Sequence, residues 1–138
     1  MTDDLDGLPT SPPVGDGPDT ATHPNGAIAV DHLVALTPDF DRTVSRLVDA
    51  GLDYRRTREA GEGFRQAFFV VGPCLLELGG PASGDVRFWG LTLVVADLDS
   101  AASLLGARAK DAVQPGRRIA TVPADAGISV PLALMTPR

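Results

Sequence analysis

The chain is poor in the groups that carry the commonest enzyme chemistry. It has one cysteine, two histidines, one tryptophan and one tyrosine in 138 residues. The lone Cys74 excludes an intrachain disulfide and any CxxC metal or redox motif, and it points to a reducing compartment. Following Gly72-Pro73 in an apolar stretch, Cys74 reads as inert core. There is no G-x-S-x-G turn to present a nucleophilic serine. Gly61-Glu62-Gly63 is a turn and not a phosphate-cradling loop. No apolar run approaches the roughly 20 residues that span a bilayer. The N-terminus lacks the basic and apolar regions of a secretory signal. The expectation is a cytoplasmic protein with no membrane partner.

An excess of positive charge is also missing. The formal charge is −6, and Asp3, Asp4, Asp6, Asp16 and Asp19 all fall within residues 1–26, which hold no Lys or Arg. Outside that segment 13 acidic groups face 12 basic ones, so the body is near neutral and no nucleic-acid partner is expected. Residues 1–26 are rich in proline and glycine and poor in large apolar groups. They read as a disordered acidic leader, unable to bury enough surface to offset the entropy of ordering. His23 belongs to that leader and is not a ligand candidate. The rest is apolar enough for one domain with a sizeable core, 43% of the whole chain being hydrophobic.

The body begins with a strand over Ala27 to Leu36. His32, Val34 and Leu36 share one face, and Asp31, Leu33 and Ala35 share the other. Thr37 is placed to cap a helix with Pro38 at its first position. Phe40, Val44, Leu47 and Val48 recur at helical spacing, and Gly51 ends the helix. Strands follow over Leu52 to Arg58, Phe64 to Val71 and Cys74 to Leu78. The order then repeats. A strand over Phe88 to Val95 precedes a shorter helix capped by Asp97 and stopped by Gly106. Strands over Ala107 to Ala112, Arg117 to Val122 and Val130 to Met135 close the chain. Pro131 argues for an edge or a bulge in the last one.

The two halves align as copies. Val30 to Asp39 lies over Phe88 to Asp97, so His32 meets Gly90. Leu75 to Pro81 lies over Pro131 to Pro137, so Glu77 meets Ala133. The first half keeps polar groups at positions where the second has none.

A doubled β-α-β-β-β unit with a strand-borne His32 before the first helix, and Leu75-Leu76-Glu77-Leu78-Gly79-Gly80 ending that unit, resembles the vicinal oxygen chelate superfamily. That group includes glyoxalase I, bleomycin-resistance proteins and extradiol dioxygenases. The resemblance implies an α+β fold: two βαβββ units, 27–80 and 86–137 with a linker at 81–85, forming curved mixed half-barrel sheets around a cavity, helices on the convex face. It also implies that metal ligands come from the first and fourth strands of each unit. Here those positions are His32, Glu77, Gly90 and Ala133. A catalytic zinc usually has three protein ligands, and non-haem iron uses two histidines and a carboxylate. His32 and Glu77 alone fall short. A third ligand would have to come from Gln66, Asp85, Asp125 or another chain.

The leading expectation is therefore a glyoxalase-like domain with a degenerate metal site and no cofactor, binding a small organic molecule in its cavity. The ligand-lining candidates are His32, Arg65, Gln66, Phe69, Glu77, Trp89 and Arg117, with Tyr54 and Met135 as further apolar walls. Arg65 and Gln66 point to opposite faces, as do Arg117 and Arg118, so one of each pair faces inward. An inward arginine would select an acidic ligand. The alternative is a lyase, isomerase or dioxygenase of the glyoxalase type with His32 and Glu77 as catalytic groups, either metal-free or holding Fe, Zn, Mn or Ni on them. A third reading is an interaction module without a ligand. The plain structural reading of His32 and Glu77 is that each satisfies the other. The resemblance is compatible with a homodimer.

Overall fold

The strand expected to lead the body is present: β1 spans Ala27–Leu36. The computed structural model describes residues 5–11 and 23–138. These fall into two units. The first holds residues 5–11 and 32–89 of the described chain, and the second holds 23–31 and 90–138.

In the first unit β1 is followed by α1 (Phe40–Asp49), β2 (Asp53–Glu59), β3 (Arg65–Val71) and β4 (Cys74–Gly80). Its strand order is β2-β3-β4-β1. β1 runs parallel to β4, and the other pairs are antiparallel. In the second unit β5 (Arg87–Val95) leads to α2 (Leu98–Leu104), β6 (Ala109–Asp111), β7 (Arg118–Thr121), a short 3-10 turn (Ala124–Ala126) and β8 (Leu132–Met135). Its order is β5-β8-β7-β6, again with a parallel β5–β8 pair. Two βαβββ units of mixed sheet make this the expected α+β fold.

Each helix covers one face of its own sheet. α1 buries Phe40, Thr43 and Leu47, one turn and two turns apart on a single stripe. They pack with Ala35, Ala67, Phe69, Leu76 and Leu78. Val48, expected on that stripe, is exposed, and Thr43 takes the inner position. α2 is shorter and buries Leu98, Ala101 and Ala102 against Val95, Ala120 and Leu134.

Three local expectations are corrected. The cap of α1 is Asp39, whose Oδ1 accepts from the Arg42 N–H at 3.1 Å. Thr37 instead accepts from the Asp39 N–H at 3.1 Å, and Pro38 lies before the helix. β8 is not an edge strand, because it lies between β5 and β7. Pro131 is accommodated by standing just before the first residue of β8, its carbonyl accepting from the Leu91 N–H at 3.1 Å. A proline there removes no ladder donor from the strand.

The third correction concerns residues 5–11 of the leader, of which 1–4 and 12–22 lie outside the described residues. Leu8 is only 4% exposed and sits in the core of the first unit, with Leu5 packed against it. Asp6 and Gly7 both take positive φ, and the Leu8 N–H donates to the Leu5 carbonyl at 3.1 Å. That turn brings both leucines to the core. It also aims Asp6 at α1, where Oδ2 accepts from the Thr43 hydroxyl at 2.6 Å and from Arg42 Nη2 at 3.2 Å. Two leucines suffice to anchor a segment whose composition otherwise favours disorder. Asp3, Asp4, Asp16 and Asp19 lie outside the described residues.

Replacing Leu8 by Ala should cost about 2 kcal/mol or more in urea unfolding, as for other buried leucines. Burial raises the Asp6 carboxyl, but hydrogen bonds from Thr43 and Arg42 outweigh it and hold the group below its ordinary range. Its stabilisation is therefore full above the unfolded value of about 4 and is lost as pH falls through the lower folded value. Asp6→Asn should flatten that acid-side slope in a series of melts at decreasing pH.

Candidate functional site

The register of the first sheet decides which side chains share the face away from α1. Residues paired across strands point to the same side. Val34 pairs with Glu77, and Glu77 pairs with Phe68. His32 is two residues from Val34, and Gln66 is two from Phe68. His32, Gln66 and Glu77 thus lie on one face, with Val34, Leu36, Phe68, Val70 and Leu75 around them. Leu33, Ala35, Ala67, Phe69, Leu76 and Leu78 lie on the other, against α1.

The three polar groups meet. Gln66 Nε2 donates to Glu77 Oε1 at 2.5 Å. His32 Nε2 stands 3.5 Å from Glu77 Oε2, and the two side chains are 16% and 17% exposed. Glu77 is thus held at one oxygen by an amide and approached at the other by an imidazole. His32 and Glu77 approach each other at 3.5 Å, and the side-chain hydrogen bond to Glu77 comes from Gln66. None of the three is fully buried.

The remaining sequence candidates are placed elsewhere. Arg65 is on the helix side, its guanidinium 4.3 Å from the Phe40 ring centroid and its Nη2 3.1 Å from Asp41 Oδ1. Phe69 is 0% exposed in the core of the first unit and is not a lining residue. Tyr54 meets its ring edge-on, centroids 5.6 Å apart. Both miss the His32 face because they sit one residue out of phase with Gln66 or Phe68. Trp89 lies in the first unit at the start of β5, 47% exposed. Met135 is buried in the second unit.

Arg117 is 6% exposed in the second unit and is consumed there. Its Nη2 donates to Asp31 Oδ1 at 2.8 Å and to the Thr136 carbonyl at 2.8 Å. Nη1 donates to Gln114, and Nε donates to the Thr136 carbonyl at 3.2 Å. Arg138 also approaches Asp31, at 3.5 Å. Asp31 points away from His32, as alternation requires, but sequence reasoning gave it no partner. The partner is 86 residues away, a separation that strand periodicity cannot reveal.

The second unit repeats the first in register. Thr92 pairs with Ala133 as Val34 pairs with Glu77, and Ile119 pairs with Met135 as Gln66 pairs with Gly79. Gly90, Ile119 and Ala133 thus take the places of His32, Gln66 and Glu77. An ion pair is duplicated as well. Arg118 meets Asp99 at 3.0 Å as Arg65 meets Asp41 at 3.1 Å. Asp97 caps α2 as Asp39 caps α1, each accepting from the N–H three residues on at 3.1 Å. The Asp99 carboxylate raises the Arg118 guanidinium above its usual value.

Gln66, considered as a third ligand, stands beside Glu77 on this face. Among the described residues no three His, Cys, Asp or Glu side chains are grouped to hold an ion. Asp85 and Asp125, considered as third ligands, join no such group. His32 and Glu77 supply two of the three protein ligands such a site needs, and Gln66 turns its amide nitrogen, not its oxygen, towards Glu77.

Two functional candidates escaped sequence reasoning. Arg56 pairs with Phe68 and Arg58 with Gln66, so both arginines are on the His32 face. Their spacing of two residues was a legible signal. The register shift between Tyr54 and Arg56 that sets their phase was not.

Among the described residues no helix is long and apolar enough to cross a membrane. No family model matches the sequence, and no curated protein is similar to it. Solved structures are similar in fold. Methylmalonyl-CoA epimerase from Mycobacterium tuberculosis matches with a TM-score of 0.68 at 18% identity, over 86% of this chain and 93% of that one. A variant of the Streptomyces coelicolor methylmalonyl-CoA epimerase, in complex with 2-nitronate-propionyl-CoA, matches with 0.63 at 21%, over 80% and 97%. A methylmalonyl-CoA epimerase in complex with methylmalonyl-CoA and ammonium matches with 0.63 at 20%, over 80% and 94%.

Arg117→Leu should destabilise the protein by about 3 kcal/mol, because it leaves the buried Asp31 carboxylate without its main partner. Adding Asp31→Asn in the same chain should recover part of the loss, as read from denaturant midpoints.

Proposed function

Since the chain has the fold of the vicinal oxygen chelate superfamily, we propose that its first unit binds a small organic molecule against the His32–Gln66–Glu77 face without a metal. The observation that carries this reading is the cluster itself. Three converging polar groups, partly exposed, stand in a surround of Val34, Leu36, Phe68, Val70 and Leu75. Ligand sites combine an apolar lining with a few oriented polar groups in this way. Gln66 fixes the carboxylate of Glu77, and His32 offers ring nitrogens for hydrogen bonding. A homodimer belongs to the same reading, and sedimentation velocity reports it.

One observation favours a second reading as an enzyme of isomerase type. A carboxylate held by an amide, with an imidazole 3.5 Å away, is a base and acid in reach of one substrate atom. Glu77 would take a proton from a carbon next to a carbonyl, and His32 would stabilise or return it. The similarity in fold to epimerases bound to CoA thioesters makes methylmalonyl-CoA a suitable first probe.

Metal analysis of the purified protein should show no stoichiometric Fe, Zn, Mn or Ni, and one retained equivalent would overturn the metal-free reading. Native mass spectrometry of protein taken from cells should show a bound metabolite that Glu77→Ala loses. If methylmalonyl-CoA or another thioester exchanges its C2 proton with D2O in the protein's presence, Glu77→Gln should slow that exchange by about 100-fold or more. Exchange unaffected by the substitution would remove Glu77 from the chemistry.

A further inference from the structure

The face that carries His32, Gln66 and Glu77 continues onto β2 with two arginines. Arg56 stands in line with Phe68 and Glu77, and Arg58 in line with Gln66 and Gly79. The Arg56 guanidinium lies over the Phe68 ring, 4.6 Å from its centroid, and is thereby steered inward across the sheet. Arg58 is half-buried and meets no carboxylate among the described residues. This sets it apart. Arg42, Arg55, Arg65, Arg117, Arg118 and Arg138 each lie against an aspartate. A partly desolvated guanidinium without a counter-ion gains most from an anionic oxygen supplied by a ligand.

Charge along the face runs in one direction. The two guanidiniums are on β2, and the Glu77 carboxylate is two strands away on β4. Strands stand about 4.8 Å apart, so β2 lies about 10 Å from β4 and about 15 Å from β1. A molecule lying across the strands would put an anionic end at Arg56 and Arg58. Its uncharged portion would cross Phe68 to reach Glu77 and His32. The reverse orientation would set anion against carboxylate.

We propose that the site is selective for an elongated organic anion, with a carboxylate or phosphate held by Arg58 and Arg56 and a neutral polar group at Glu77 and His32. This deepens the small-molecule reading above and rests on it.

The test is an NMR titration of the full 15N-labelled chain with hexanoate, hexyl phosphate, the neutral hexanamide and inorganic phosphate. The expected result is that hexanoate or hexyl phosphate moves both the Gln66 side-chain amide and the Arg58 Nε–H signals. The tighter of the two identifies the anionic group. Arg58→Gln should weaken that probe about tenfold, the worth of a charge-assisted hydrogen bond, and leave hexanamide unchanged. Arg58→Lys should recover only part of the affinity, since it keeps the charge and loses the planar fork. Arg55→Gln, at a residue tied to Asp53, should have no effect. If hexanamide binds as tightly as the anions and Arg58→Gln is silent, anion selectivity is overturned while the small-molecule site stands. If inorganic phosphate alone reproduces every shift and Gln66 never moves, Arg58 is a surface charge and the proposal fails. If no organic probe moves Gln66, both readings fall together.

Discussion

Parallel pairing of β1 with β4 is the constraint on which the rest of the first unit depends. The two strands are far apart in sequence and are brought side by side by one helix and two intervening strands. Their register sets Val34 opposite Glu77. Because side chains alternate with a period of two, that choice puts His32 and Glu77 on the same face. A slip of one residue would turn Glu77 into the core beneath α1, where an unpaired carboxylate is costly. The apolar residues on either side of Glu77, Leu76 and Leu78, hold the register from the other face. Core packing and site assembly are thus a single event.

The second unit uses the same register for a different purpose. Gly90, Ile119 and Ala133 occupy the places of the polar cluster, so its corresponding face carries no such chemistry. Its buried ion pair is Asp31–Arg117, closed off by the Thr136 carbonyl and Gln114. Four of the five guanidinium N–H groups of Arg117 are engaged in this way. The pair specifies how the first residues of β1 attach to that unit. The two arginines singled out in the sequence, Arg65 and Arg117, are both structural, one on the helix side and one buried. Arg56 and Arg58, not singled out there, are the arginines on the His32 face of the first unit.

The site was half legible. His32 and Glu77 stood out because a histidine and a carboxylate in apolar strands need a reason to be there. Gln66 was named with Arg65 as a pair of which one must face inward, and the structure selects Gln66. Phe69 was misplaced because strand phase is relative. Alternation puts Phe69 and Gln66, three residues apart in β3, on opposite faces, but it does not say which of the two faces the core. Residues 5–11 of the leader misled for another reason. Its composition is that of disorder, but two leucines flanking a tight turn contribute enough apolar contact to dock, and average composition hides two residues.

Sequence alone determined the order of elements, the doubling and the loss of polar groups in the second half. Each of these follows from local periodicity, turn chemistry and the comparison of one stretch with another. Tertiary structure decided which faces are covered, which arginines are consumed, and that Gln66 clasps Glu77. Those outcomes depend on long-range register and on a β2 irregularity that shifts phase by a residue. No local pattern encodes either, because a strand's two faces are equivalent until something packs on one of them.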